Sequence, residues 1–376
     1  MRFETKAIHA GQEPEPAYGA VNVPIYQTST YAQESVGEHK GYDYARTGNP
    51  TRTVLQDALA ALEEGAGALC FSSGMAAEAT FFYLLQPGDH IVVGDDVYGG
   101  TYRLVARVLT ESMGLAFDTA DLTDLSAVRK AVREETKAVW VETPTNPLLK
   151  IVDIAAVAQI AHEAGARCVV DNTFASPYLQ QPLALGADAV IHSTTKYLGG
   201  HSDVVGGAVV VADAGLAERL AFLQNAAGSA GAPFDAWLTL RGVKTLAVRM
   251  DRHCDNGAQV AMFLANHSRV AQVYYPGLAD HPGHEVAAKQ MRGFGGMVSF
   301  RHADGEAAAV RMCGRTRLFT LGESLGGVES LIEHPAKMTH ASAAGSPLEV
   351  PADLVRLSVG IENCADLIED LREALG

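Results

Sequence analysis

Between residues 66 and 212, short apolar runs alternate with amphipathic stretches. AGALCFSS precedes GMAAEATFFYLLQ, HIVVGD precedes YRLVARVLTESMG, and KAVWVET precedes IVDIAAVAQIAHEAG; ARCVVDNT, DAVIHSTTK and GGAVVVAD follow. Strand-length runs separated by helix-length runs pair in parallel through crossovers, because a short hairpin cannot join parallel strands. The pattern therefore predicts an α/β fold with a largely parallel central sheet covered by helices on both faces. Local signals agree. Asp124 and Ser126 open the run AVRKAVREE, and Gly114 and Gly165 stand where helices should stop.

The chain has 376 residues, longer than a single core of about 250–300 residues comfortably fills. We expect a large domain over 47–249 and a smaller α+β domain over 250–376. The latter carries VAQVYYPG, GGMVSFRH, TRLFTLG and LVRLSVG between Ala-rich helical stretches. A stretch with few helix breakers, Pro233 to about His267, should link the two. Residues 1–46 are rich in Pro, Gly, Tyr and Gln and lack periodicity, which predicts an arm packed against a neighbouring subunit.

Hydrophobic residues make up 48% and charged residues 19%, a globular composition. A net charge of −15 argues against nucleic acid or an anionic membrane as partner, so an anionic ligand must be held locally. No apolar run approaches the roughly 18–20 residues of a membrane span. MRFETKAIHA has no apolar targeting segment, so a cytoplasmic protein is expected. Cys70, Cys168, Cys254, Cys313 and Cys364 are scattered and form no C-x-x-C pair, which predicts reduced thiols, no disulfide and no metal.

Chemistry gathers at the strand ends, where ligands of open α/β sheets collect. ARCVV ends in Asp171, and DAVIH runs into Ser193-Thr194-Thr195-Lys196. In an extended segment Ser193 and Thr195 share one face and Lys196 takes the other, so two hydroxyls can hold a phosphate while the amine faces a ring beside it. Asp171 could pair with a pyridine nitrogen and keep it protonated. Alone, Asp171 reads as a cap and Lys196 as a surface lysine. Together they describe a pyridoxal 5'-phosphate (PLP) site in which Lys196 carries the cofactor as a Schiff base. Ser72-Ser73-Gly74-Met75, where a strand enters a helix, offers free amides to a phosphate. Tyr98 could stack on the ring. A nucleotide-dependent oxidoreductase is disfavoured because no G-x-G-x-x-G follows a first strand.

These residues lie in stretches that together resemble the transsulfuration family of PLP-dependent enzymes. The matching stretches are YARTGNPTR, SSGMAA, DDVYGGTYR, ETPTNPLL, VDNTF, HSTTKYLGGHSD, SLGGVESL and RLSVGIE, spread over essentially the whole chain. The resemblance implies the PLP-dependent transferase fold type I. It makes Lys196, Tyr98 and Asp171 catalytic, and gives Gly74, Met75, Ser193 and Thr195 to the phosphate. Tyr44 and Arg46 would reach the phosphate of a neighbouring subunit's cofactor. Asn146, Ser324 and Arg356 would orient the cofactor and clamp the substrate α-carboxylate, and Asp43 and Glu329 would meet a distal ammonium. It also implies an amino-acid substrate and a homotetramer of dimers with shared active sites.

Within the family the motif wording is nearest the γ-lyases, which implies γ-elimination of L-cystathionine to L-cysteine, 2-oxobutanoate and ammonia. Cystathionine γ-synthase, acting on an O-acyl- or O-phosphohomoserine with cysteine, shares nearly every motif. Family β-lyases tend to carry a Trp where Ser324-Leu325-Gly326-Gly327 stands, and methionine γ-lyases a Cys in place of Gly100. Between Ser342 and Arg356 the chain reads AAGSPLEVPADLV, shorter than the family's segment, a departure that affects loop shape near the substrate mouth.

Overall fold

A computed structural model describes residues 1–341, 345, 346 and 348–376. Part of the shortened segment over 343–355 thus lies outside the described residues. The large sheet contains β1 (Gly67–Phe71), β2 (His90–Gly94), β3 (Ala116–Ala120), β4 (Thr136–Glu142), β5 (Arg167–Asp171), β6 (Ala189–Ser193) and β7 (Gly207–Val211). Their spatial order is β1-β7-β6-β5-β4-β2-β3. The five strands from β6 to β3 pair in parallel, while β7 runs antiparallel to both β6 and β1.

The sheet is therefore mixed but largely parallel, and its central strands are buried on both sides. In β4, Val139 and Val141 pack with Val157 and Ala161 of the helix Ile154–Glu163, whereas Trp140 packs with Phe81 and Phe82 of the helix Gly74–Phe82. Each large side chain so buried contributes about 1.5–3 kcal/mol. The sequence signal for β3 is weak because AFDTA is a half-exposed edge strand holding Asp118 and Thr119.

A second, smaller sheet contains β8 (Val270–Tyr274), β9 (Met297–His302), β10 (Thr320–Leu321), β11 (Leu331–Glu333) and β12 (Leu354–Ser358), in the order β10-β11-β12-β9-β8. Its apolar face packs on Val260, Ala261 and Leu264 and on Leu367 and Leu371 of the last helix. β11 is three residues long, too short for periodicity to reveal.

The stretch from Pro233 to His267 forms two helices, Pro233–Val243 and Leu246–Ala265, separated at Lys244-Thr245. The second helix ties the sheets together. Near its start, buried Arg249 donates from Nη1 to the Tyr197 carbonyl at 2.7 Å and from Nη2 to the Gly242 carbonyl at 2.8 Å. Further along, His253 donates from Nδ1 to the Val359 carbonyl at 2.7 Å, and Asn256 donates to the Gly360 carbonyl at 2.9 Å. Both acceptors lie just beyond β12. Among the described residues no helix is long and apolar enough to cross a membrane.

A buried carbonyl stripped of its donor costs about 1–3 kcal/mol. Arg249→Met should therefore lower the unfolding free energy by about 2–4 kcal/mol, read as a shift of the urea midpoint with the slope unchanged.

Candidate active site

The site begins where β1 gives way to a helix. Ser73 caps the helix Gly74–Phe82, its Oγ accepting from the Ala76 amide at 3.1 Å. That leaves the amides of Gly74 and Met75 without an intrahelical partner, as at any helix start. The approach of β7 beneath this turn requires glycine. A Cβ on Gly207 would stand 2.7 Å from the Gly74 nitrogen and would collide with the Ser73 carbonyl.

Beside this cradle β6 ends at Ser193 and the chain turns, with Lys196 N donating to Ser193 O at 3.2 Å and Gly199 N to Thr194 O at 2.9 Å. Ser193, Thr195 and Lys196 were expected on alternating faces of an extended strand. A turn brings all three to one cavity instead. The reason lies in β7. The Thr195 hydroxyl bonds both the amide and the carbonyl of Gly206, at 3.0 and 3.2 Å, and Thr194 is buried against the same glycine.

The cavity has a volume of about 350 Å³. It brings together Gly74, Met75, Tyr98, Asn146, Asp171, Ser193, Thr195, Lys196, Ser324 and Arg356. Asp171, at the end of β5, accepts from the Thr173 amide at 2.9 Å; burial raises its carboxyl above the ordinary range, opposed by that hydrogen bond. Lys196 donates to Ser324 Oγ at 2.8 Å. Burial, reinforced by the Arg356 charge, pulls its amine down from the ordinary 10.5 to about 8. Ser324 holds a left-handed backbone with φ of 91°, a strained conformation for a residue with a Cβ.

Arg356, on β12, donates from Nη1 to Asn146 Oδ1 at 2.8 Å and from Nη2 to the Ser324 carbonyl at 2.9 Å. Its Nη1 also pairs with buried Glu333 at 3.0 Å. Its Nε is buried without a partner among the described residues, leaving one guanidinium donor unsatisfied. Tyr98 is held through its amide, which donates to Glu142 Oε2 at 2.8 Å. A side chain on Gly100 would collide with the Tyr98 ring, so that glycine keeps the ring in place.

Four expected residues lie elsewhere. Tyr44 and Arg46 are exposed and stack on each other, and Arg46 donates to the Asn225 carbonyl at 3.1 Å. Asp43 accepts from the Tyr44 amide at 2.7 Å. Glu329 accepts from Ser202 and does not line the cavity; Glu323, six residues earlier, does. Glu78, Glu142, Thr173 and Thr339 also line it and were not singled out from sequence. Glu142 and Thr173 stood inside the quoted motifs, and Glu78 is the one charged residue of the apolar run GMAAEATFF.

The site fits a phosphorylated pyridine aldehyde. Paired amides and hydroxyls suit the phosphate, a buried carboxylate suits a ring nitrogen, and a desolvated amine suits the aldehyde. A sequence profile of Cys/Met metabolism PLP-dependent enzymes matches residues 4–376. The chain belongs to that family. It is a PLP-dependent enzyme of fold type I, as expected from the motifs.

Its relatives carry more than one name. The cystathionine gamma-synthase of Mycobacterium tuberculosis (strain ATCC 25618 / H37Rv) is 62% identical over 374 residues, 99% of this chain and 96% of the relative. The cystathionine beta-lyase of Coxiella burnetii is 55% identical over 99% of this chain and 97% of the relative. A solved structure of cystathionine gamma-lyase from Lactobacillus plantarum, complexed with L-serine, superposes with a TM-score of 0.96 at 47% identity, covering 100% of this chain and 98% of that one.

An amine attacks only when unprotonated. In the cofactor-free protein the rate of borohydride-trapped labelling of Lys196 by an aromatic aldehyde should therefore rise through pH of about 8. Arg356→Gln removes a neighbouring positive charge and should move that midpoint upward. Peptide mapping by mass spectrometry locates the label.

Proposed function

We propose that this family member is a cystathionine γ-synthase, joining the γ-carbon of an O-acylated or phosphorylated homoserine to the sulfur of L-cysteine. The observation that carries the reading is 62% identity along 99% of the chain to a protein of that name. The motif wording favoured γ-elimination of L-cystathionine; full-length identity favours replacement. In the replacement the Cγ–O bond breaks, the carboxylate or phosphate departs, and a Cγ–S bond forms.

Bound PLP supplies an electron sink for negative charge at the substrate Cα. The chain's own groups do the rest. Asp171 offers its carboxylate to the ring nitrogen, and Gly74, Met75, Ser193 and Thr195 offer donors to the phosphate. Tyr98 flanks the ring. Lys196 is the covalent attachment point. Its free amine would accept and return protons around Cα, a role suited to an amine that burial pulls down to about 8. Arg356 takes the α-carboxylate through its open Nε, with Asn146 and Ser324 fixing the guanidinium. Glu323, at the cavity wall near Lys196, is the carboxylate available to a distal ammonium, in place of Glu329.

We also propose that Tyr44 and Arg46 serve the cofactor phosphate of a neighbouring copy within a homotetramer. Their exposure away from their own cavity supports this, as do Tyr18, Val21 and Val36, all more than four-fifths exposed on the arm. In this division residues 1–46 are the intersubunit arm, 47–249 the cofactor domain and 250–376 the substrate-side domain.

Purified holoenzyme given O-acetyl- or O-succinylhomoserine with cysteine should form cystathionine, followed by mass spectrometry. Given L-cystathionine alone it should release little 2-oxobutanoate or pyruvate. Predominant 2-oxobutanoate identifies a γ-lyase instead, and predominant pyruvate a β-lyase. Lys196→Ala should lower kcat by about 10³-fold or more. Mixing inactive Arg46→Ala and Lys196→Ala proteins under subunit exchange should restore activity that neither has alone.

A further inference from the structure

Among the cavity's acids one has neither a part in this mechanism nor a backbone amide to hold. Glu78 sits in the second turn of the helix Gly74–Phe82, three residues after Met75 and on the same face. It is 3% exposed and lines the cavity beside Asp171 and Tyr98. Its Oε1 accepts from Thr101 Oγ1 at 3.2 Å, and its Oε2 has no partner among the described residues. No lysine or arginine pairs with it among the described residues. The cavity's two cations, Lys196 and Arg356, are answered by Glu333 and Glu323.

An acid placed this way costs stability. Ionised, it is an unpaired buried charge; neutral, it still leaves a polar oxygen dry where Met or Leu would pack. A feature that costs stability inside a site is commonly retained for the site's function. The groups facing Glu78 are Asp171 from β5, Glu142 from β4, and Tyr98 and Thr101 from the segment after β2. Two of these are carboxyls and none is a cation, so the pocket favours a proton on Glu78, and burial together with the Asp171 charge holds its carboxyl well above the ordinary range.

We propose that Glu78 works as the proton-bearing partner of Asp171, entering the cofactor-loaded site as a neutral carboxyl and setting the total charge around the bound ring. The proposal rests on the PLP reading of the cavity and is independent of which homoserine ester or thioether is the substrate. Burial and the Asp171 charge hold Glu142 well above the ordinary range as well, so while Glu78 keeps its proton Asp171 is the one carboxylate on the large-sheet side matched to a protonated ring nitrogen. When Glu78 ionises, a second charge appears in a dry site and the pair titrates as a coupled unit.

The test follows the bound cofactor rather than turnover. In wild-type holoenzyme the visible absorbance of PLP, titrated across the pH range in which the protein stays folded, should show a transition attributable to Glu78 besides that of Lys196. Glu78→Gln, permanently neutral and of the same shape, should retain cofactor and lose that transition. Thr101→Val removes a hydrogen bond that favours the ionised form and should move the transition to higher pH. Glu78→Met should raise the thermal midpoint of the cofactor-free protein. Superimposable titrations of wild type and Glu78→Gln overturn the proposal. So does a folded Glu78→Gln protein that cannot hold PLP, since the charged form would then be the one required. Failure of the γ-synthase assay, with these spectra intact, leaves it standing.

Discussion

Arg249 reaches from the first turns of a long helix into the turn that follows β6, and its guanidinium is satisfied by backbone carbonyls on both sides of that gap. This clamp determines where Lys196 stands. The carbonyl of Tyr197, the residue after Lys196, accepts from Arg249, and Gly200, whose Cβ would clash with the same guanidinium, lets the turn pass beneath it. Because the helix carrying Arg249 goes on to bond the segment beyond β12, the position of the amine and the position of Arg356 share one rigid support. A lysine on a free loop would spend most of its time hydrated and protonated. Held here it is dry enough for its proton to leave near neutrality.

Charge inside the cavity is distributed with a sense of direction. The cations Lys196 and Arg356 stand toward the second sheet with Glu323 and Glu333, while Asp171, Glu142 and Glu78 stand on the large sheet and the helix Gly74–Phe82. An overall charge of −15 therefore says little about this cavity, which gathers two helix-start amides, two hydroxyls and one guanidinium, all of them donors suited to an anion. Of the three acids on the large-sheet side, Glu142 is engaged by the Tyr98 amide and Asp171 by the Thr173 amide. Glu78 alone has a carboxyl oxygen left dry.

Much of this could be read from the residues in order. The parallel sheet followed from alternating run lengths, and Asp171 and Lys196 from their places at strand ends. What escaped has physical reasons. β3 and β11 are short or half-exposed and carry little periodicity. Strand alternation was the wrong picture for Lys196, because bonds from Thr195 to Gly206, far off in sequence, fold the chain into a turn. Glu323 and Glu329 are both acids near a Gly-rich bend, and only the left-handed backbone at Ser324 and the packing of the bend decide which one faces inward. Glu78 was hidden by its helix, in which every neighbour reads as ordinary core.

The cavity wall is also divided by ancestry in the chain. From Ser73 to Lys196 it is made by the large sheet and its connections, whereas Glu323, Ser324, Leu325, Thr339 and Arg356 come from the C-terminal third. The wall therefore closes only where the two stretches meet, at the Lys196–Ser324 and Asn146–Arg356 hydrogen bonds, so a fragment of either stretch alone would carry half a cavity.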